Sequence, residues 1–411
     1  MDPFTFSSVA RIVFGRGTFG QIGQLAAELG SAAMIVTNAG EPGGGGLPDQ
    51  LGESLRKADV RHAVMRQRGE PTVEQIDQAV QIARREKCDL VIGLGGGSAV
   101  DAAKAVAGLL TNGGGPLEYM EVIGQGKKLS QRSAPWIAVP TTAGTGAEAT
   151  RNAVIGAPER RFKASLRSEH LLAHVALVDP ELGVDVPPDV TARSGMDALC
   201  QLIESFTSHG AQPMTDALAL RGIESAAAAL PRAHADGGDL DARQDMALAA
   251  LFSGITLGNA GLGAVHGFAA PMGANFPIPH GTVCAALLPH VIRANVAALR
   301  SAADGQRYLD RYATIGRLLF PHAVPHDIDA GERIERTISA ANLPDDEAAD
   351  AAGEAAATLV TQLDIPPLGR FGVTADHVDE LVALARRASS MRYNPVELSD
   401  TTLVDVLAAA L

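Results

Sequence analysis

The chain has 411 residues, with 34 Lys and Arg against 47 Asp and Glu, a formal net charge of −13. Hydrophobic residues make up 46% and charged residues 20%, which excludes general disorder, a state that needs low hydrophobicity and high charge. The acidic balance argues against nucleic acid and against an anionic membrane surface as partners, since both are recognised through clustered Lys and Arg.

Two or three domains are expected at this length. No uninterrupted apolar run approaches the roughly 18–20 residues of a membrane span. The opening MDPFTFSSVARIVFG lacks the basic and apolar regions of a secretory signal. Cys88, Cys200 and Cys284 are odd in number, far apart and set in apolar text. They read as buried free thiols and not as a disulfide framework or a CxxC pair. A reducing cytoplasm is the expected compartment.

In chain order, the β-rich start Phe4–Phe14 suits pairing across a two-fold axis, so a homodimer is expected. Short apolar runs follow at Ala33–Thr37, Asp89–Leu94, Trp136–Val139 and Val175–Val178. Such runs suit strands buried on both faces of a parallel sheet. Between the first two, Gly40–Pro48 (GEPGGGGLP) reads as a flexible loop. Thr72 with Gln75 three residues on has the capping-box spacing, and Ile76, Ala79, Val80 and Ala83 continue at a helical period. Strand, helix and strand in this rhythm predict an α/β dinucleotide-type domain.

Beyond about residue 185 the strand runs give way to Ala- and Leu-rich helical patterns. They lie at Asp216–Leu230, Asp241–Gly258, Gln306–Leu319 and Thr374–Arg387. Pro187 and Pro188 mark a boundary near Val186–Thr191, giving an α/β domain over 1–187 and a helical domain over 188–411. Gly254 and Gly258 would let another helix approach closely. The acidic stretch Asp345–Glu354 reads as a solvated helix face.

Two loops carry nucleotide-binding chemistry. Val91–Ser98 (VIGLGGGS) runs from a strand into a helix. Gly95, Gly96 and Gly97 permit positive φ and close approach to a ligand. The helix start offers free N–H groups and a positive dipole end for a pyrophosphate, and Ser98 adds a hydroxyl. Asp101 suits the dipole but repels a phosphate placed too close. Pro140–Glu148 (PTTAGTGAE) follows the next strand and supplies Thr141, Thr142 and Thr145. Either loop alone is also a plain turn. At the end of the second strand the residue is Asn38, not the acid that usually binds the adenosine ribose and repels a 2′-phosphate, so both NAD and NADP stay open.

In the helical half, Asp197 and Gln201 share one helix face. His266 and His280, flanked by Gly and Pro, are the best ligand candidates among the eleven histidines. One carboxylate and two imidazoles suit Zn²⁺ or Fe²⁺ and leave a position for a substrate oxygen.

With these residues in place, the chain resembles the iron-containing (group III) alcohol dehydrogenases, related to glycerol dehydrogenases and dehydroquinate synthases. The resemblance runs over nearly the whole chain. It rests on GLGGGSAVDAAKA, VPTTAGTGAEATRNAVI, LVDPEL, SGMDAL, GLGAVHGFAAPMGANFPIPHG and MRYNPVELSDTTLVDVL. It implies an α/β nucleotide domain followed by a helical domain. It implies that Gly95, Gly96, Gly97 and Ser98 hold the cofactor phosphates, and that Asp101, Thr141, Thr142 and Thr145 line the adenine and pyrophosphate side. Asn152 and Lys163 fall at family cofactor positions near the ribose and nicotinamide. Asp197, His266 and His280 fall on family metal ligands. Two positions depart from the pattern: Gln201 stands where the family has a ligand His and offers the metal a neutral amide oxygen, a weaker ligand than imidazole, and Ala270 stands where it has a proton-relay His.

The implied reaction is metal-assisted, NAD(P)-linked hydride transfer between an alcohol and its aldehyde or ketone. The apolar text near His266 and Phe276 points to a small or moderately apolar substrate. Arg392 could reach a substrate carboxylate, or simply form an ion pair. Two rivals stay open: a cyclase like dehydroquinate synthase, for which basic residues around the ligands are missing, and a cofactor-binding protein that has lost catalysis through Gln201 and Ala270.

Overall fold

The computed structural model describes residues 3–40, 46–157, 159, 162–323 and 330–411. They form two compact units. One contains Ser7–Thr142 and Gly146–Asp185; the other contains Val186–Leu411, residues 3–6 and Ala143–Thr145. That last tripeptide, like the N-terminal residues, therefore belongs with the helical unit although the sequence assigns it to the first domain.

Among the described residues the α/β unit has eight strands: β1 (Ile12–Phe14), β2 (Ala32–Thr37), β3 (Arg61–Arg66), β4 (Leu90–Gly95), β5 (Trp136–Pro140), β6 (Asn152–Ala157), β7 (Phe162–Arg167) and β8 (Val175–Val178). Six of them form one sheet in the order β1-β8-β5-β4-β2-β3, with every pair parallel. β6 and β7 form a separate antiparallel hairpin. The apolar runs read in the sequence are the inner strands. Successive residues point to opposite faces: Met34, Val36, Val91, Trp136 and Ala138 enter one core with Ile76, Val80, Val100 and Val106. Ala33, Ile35, Ile92, Ile137 and Val139 enter the other with Ile22, Leu25, Leu51 and Leu55. Burial on both faces is why these strands show no polar alternation.

Ile12–Phe14 pairs with β8 of its own chain, Ile12 opposite Ala176, and forms an edge of the sheet. Some expectations are corrected. The loop expected over Gly40–Pro48 ends early, because Leu47 and Pro48 already begin the helix Leu47–Lys57; residues 41–45 lie outside the described residues. Thr72 does form a capping box with Gln75. Cys88 is only half-buried.

The helical unit has one core, to which the helices Pro188–Thr207, Pro213–Ala235, Leu240–Ala260, Ala264–Asn275, His280–Leu299, Gln306–Leu319 and Asp345–Gln362 contribute. The acids Asp345, Asp346, Glu347, Asp350 and Glu354 are exposed, as expected of a solvated face. Thr374–Arg387 is not one helix: a short 3₁₀ turn, Ala375–His377, precedes the helix Val378–Arg386. A Cβ on Gly258 would meet open space, so that glycine serves no close helix approach. His280–Leu299 is long and apolar enough to cross a membrane, but most of it is buried in this core.

Candidate functional site

In the α/β unit, chain order and sheet order diverge at β2. The chain passes from β2 outward to β3, then crosses to β4 on the other side of β2. Ligands of open parallel sheets bind at such a switch point, beyond the carboxyl ends of the strands. Here those ends are Asn38 after β2 and Gly95-Gly96 after β4. Asn38 Oδ1 accepts the Gly96 N–H at 3.0 Å across this gap. A Cβ on Gly95, whose φ is +145°, would lie 2.0 Å from Asn38 Oδ1. Thr141 N–H donates to the Gly95 carbonyl at 2.9 Å, and Thr142 lies beside Gly96. Gly97 opens the helix Gly97–Asn112, is exposed, and has nothing within 4 Å of where its Cβ would be. Asn38, Gly95, Gly96, Gly97, Thr141 and Thr142 thus meet at one place, at the start of the helix Gly97–Asn112. Ser98 follows in the same helical turn.

The other expected cofactor residues are engaged elsewhere. Thr145 Oγ1 donates to Asp197 Oδ2 at 2.7 Å in the helical unit. Asp101 accepts from Lys104 Nζ at 3.2 Å and from the Val154 N–H at 3.0 Å. The Asn152 carbonyl accepts from Lys104 Nζ at 2.7 Å. Lys163 Nζ pairs with Glu70 at 2.5 Å. Lys104, fully buried, also donates to the Ala147 carbonyl and Thr150 Oγ1. It ties the loop Ala147–Asn152 to the helix that follows the glycines, a structural role that the sequence reading missed.

The helical unit assembles the second constellation from three helices. Pro188–Thr207 carries Asp197, Cys200, Gln201 and Glu204; Ala264–Asn275 carries His266; His280–Leu299 carries His280 and Cys284. Glycines set their spacing. Leu240–Ala260 ends at Gly261, whose φ is +76° and whose Cβ would lie 2.7 Å from the Tyr393 ring. A Cβ on Gly263 would lie 2.9 Å from both Glu204 Oε1 and Asn394 Oδ1. Those two oxygens accept the N–H groups of Val265, at 2.7 Å, and Ala264, at 3.1 Å. They satisfy orphan donors of the first turn and fix the start of the helix that bears His266. A Cβ on Gly281 would lie 2.1 Å from the Arg193 carbonyl oxygen, so the helices of His280 and Asp197 touch through backbone.

Asp197 Oδ1 lies 3.3 Å from His266 Nε2 and 3.5 Å from His280 Nε2. Its other oxygen receives Thr145 Oγ1 and, at 3.5 Å, Gln201 Nε2. Gln201 faces Asp197 with its NH₂ group at 3.5 Å, while its Oε1 is buried with no hydrogen-bond partner among the described residues; a half-turn of the amide would exchange the two atoms. Glu204 Oε2 lies 2.6 Å from His266 Nδ1. Asp197, His266 and Glu204 are buried; the His280 side chain keeps 45% of its surface exposed and is the open side of the group. Burial alone would raise the Asp197 carboxyl, but the two imidazoles and Thr145 hold it far below the usual range. Cys284, with Asp197, pushes His280 up to about 9 against the opposing effects of burial and His266. Such mutual attraction of acid and imidazole around a small gap is what a bound cation would replace.

The sequence reading missed Glu204, and it read Cys200 and Cys284 as thiols in apolar surroundings. Cys284 Sγ is in fact 3.6 Å from Nε2 of both His266 and His280, and Cys200 Sγ is 3.9 Å from His266 Nδ1. The spacing held the signal: Glu204 lies seven residues after Asp197 and Cys284 four after His280, each on the ligand's own helix face. Ala270 is exposed and can move no proton; Arg392 is exposed; Phe276 is half-buried against the His377 ring.

The sequence pattern of iron-containing alcohol dehydrogenases matches residues 10–180, and that of the C-terminal domain of the Fe-containing alcohol dehydrogenase family matches residues 191–411. The chain belongs to this family. It is 34% identical over 398 residues to the choline dehydrogenase of Bacillus subtilis (strain 168), covering 96% of this chain and 92% of that protein. It is 39% identical over 292 residues to long-chain-alcohol dehydrogenase 1 of Geobacillus thermodenitrificans, covering 69% and 73%. Crystallographic 1,3-propanediol oxidoreductase superposes over the whole of both chains with a TM-score of 0.87 at 29% identity. Sulfoacetaldehyde reductase of Bifidobacterium kashiwanohense, solved with NAD⁺, gives 0.81 at 27% identity over 100% of this chain and 99% of that one. The fold and activity class implied by the sequence motifs are thus those of the family: an α/β and a helical domain, and an oxidoreductase of CH–OH groups.

Proposed function

We propose that this chain interconverts a small or moderately apolar alcohol with its aldehyde or ketone, using NAD or NADP and a divalent ion held by Asp197, His266 and His280. The observation that carries the reading is the approach of two imidazole nitrogens, His266 Nε2 and His280 Nε2, to within 3.5 Å of Asp197 Oδ1. A carboxylate and two imidazoles fit Fe²⁺ or Zn²⁺ equally. The glycine turn, which a Cβ would fill, fits a dinucleotide pyrophosphate.

When bound, the ion supplies Lewis acidity to the substrate oxygen and the nicotinamide takes or gives the hydride. The protein's own share is positioning. Gly95, Gly96, Gly97 and Ser98 receive the phosphates, with Thr141 and Thr142 beside them. Asn38 offers a neutral amide to the ribose, which leaves NADP usable. Thr145 and Gln201 occupy Asp197 Oδ2, so that Oδ1 is the oxygen turned to the ion. Glu204 holds the His266 ring in its orientation. Asp101, Asn152 and Lys163 support the nucleotide side through the Lys104 and β6–β7 contacts.

The segment that carries His266 and His280, Gly261–Gly281, contains no Lys or Arg. This disfavours a sugar-phosphate cyclase. A binding protein with lost catalysis is disfavoured by relatives that are dehydrogenases and reductases. A cytoplasmic homodimer is part of the proposal.

The test is consumption of NADH and NADPH by the purified chain with a panel of aldehydes and ketones, each with Fe²⁺, Zn²⁺ and other divalent ions. Turnover restored by one of these ions supports the reading. No turnover across the panel rejects it.

A further inference from the structure

We propose that Cys284 is the fourth protein ligand of this chain's metal centre, taking as a thiolate the place left by Gln201. The inference rests on the metal reading above. Cys284 Sγ stands 3.6 Å from His266 Nε2 and 3.6 Å from His280 Nε2, the same nitrogens that face Asp197 Oδ1 at 3.3 and 3.5 Å. All four donor atoms lie within 4.8 Å of one another. A tetrahedral ion with bonds of about 2.0–2.1 Å to nitrogen and oxygen and about 2.3 Å to sulfur has N···O edges of roughly 3.4 Å and N···S edges of roughly 3.6 Å. Four of the six edges of such a coordination polyhedron are therefore already in place, and the other two are within 4.8 Å.

Cys284 is buried, and it lies one turn after His280 on the same helix, so the two donors are set by one rigid element. The alternatives are engaged or unsuited. Gln201 turns its amide nitrogen to Asp197 Oδ2. Cys200 approaches His266 only from Nδ1, which is held by Glu204 at 2.6 Å. The resulting set of Asp, two His and Cys carries two negative charges and cancels that of a divalent ion. It is also softer than a carboxylate with imidazoles alone, and soft thiolate favours zinc over ferrous iron. The side of the group left open to a substrate would be that of the exposed His280 side chain.

The test uses the full chain loaded with Zn²⁺ and, separately, with Co²⁺. X-ray absorption of the zinc form should show one sulfur at about 2.3 Å, and the cobalt form should show a sulfur-to-cobalt charge-transfer band in the near ultraviolet. Both signals should vanish in Cys284→Ser and persist in Cys200→Ser and in Gln201→Ala. A parent protein that binds the ion with only nitrogen and oxygen neighbours overturns this inference alone. Signals that vanish in Cys200→Ser but persist in Cys284→Ser overturn it likewise. A parent that binds neither ion overturns the metal reading with it. Should Cys284→Ser fail to fold, the sulfur count of the parent and of Cys200→Ser still decides.

Discussion

Glu204 holds His266 by two contacts, one to the ring and one to the helix that carries it: Oε2 lies 2.6 Å from Nδ1, and Oε1 accepts the Val265 N–H at 2.7 Å. With Nδ1 engaged, the ring presents Nε2 to Asp197. Carboxylates in this outer position typically account for about 10–100-fold in metal affinity. Glu204→Ala should weaken metal binding by that factor, read by competition with a chromophoric chelator. Unchanged affinity would show that the ring needs no such partner.

Gly281→Ala should separate the helices of His280 and Asp197. A Cβ there would lie 2.1 Å from the Arg193 carbonyl oxygen, a backbone atom that cannot rotate away. The expected cost is about 1–3 kcal/mol of stability, seen as a lower Tm, together with weaker metal binding. A variant as stable as the parent, with full metal content, would contradict the close approach.

Gly95→Ala should abolish dinucleotide binding and leave metal content intact. Its Cβ would sit 2.0 Å from Asn38 Oδ1, at a φ of +145° that side chains rarely adopt. Isothermal titration with NAD⁺ checks this; binding equal to the parent would remove the glycine turn from the cofactor site.

These three residues show which features the sequence disclosed. Gly95 was legible because three successive glycines between a strand and a helix mark a turn whose backbone side chains would obstruct. The inner strands β2, β4, β5 and β8 were legible because burial on both faces writes continuous apolar runs. β3 was not, since as an edge strand it reads RHAVMR with only Met65 buried. β1 has three residues and carries no pattern of its own. Asp197, His266 and His280 stood out by type. Glu204, Cys284 and Gly281 did not, because their roles arise only when separate helices pack together. Thr145 was read with the nucleotide loop it occupies in sequence, whereas its hydroxyl is bonded to Asp197.

Stability should depend on pH through Glu148. This residue is 3% exposed, and burial pushes its carboxyl up from 4.5 to about 7 against the pull of Lys104. An acid whose folded pKa is raised is held neutral by the fold, so the unfolded chain gains from ionising first. The resulting cost is absent below the unfolded value, grows as pH rises through the interval, and reaches roughly 3 kcal/mol above pH 7. Glu148→Gln should therefore raise Tm over the parent little near pH 4.5 and most near pH 8. A pH-independent difference would contradict the assignment.

The most direct test of the central claim joins metal content to turnover in one preparation. Protein purified without chelator should carry close to one equivalent of a divalent metal per chain and reduce an aldehyde with NADH or NADPH. Asp197→Asn and His266→Ala should lose metal and turnover together. Turnover at the parent's rate in protein stripped of metal would contradict the account.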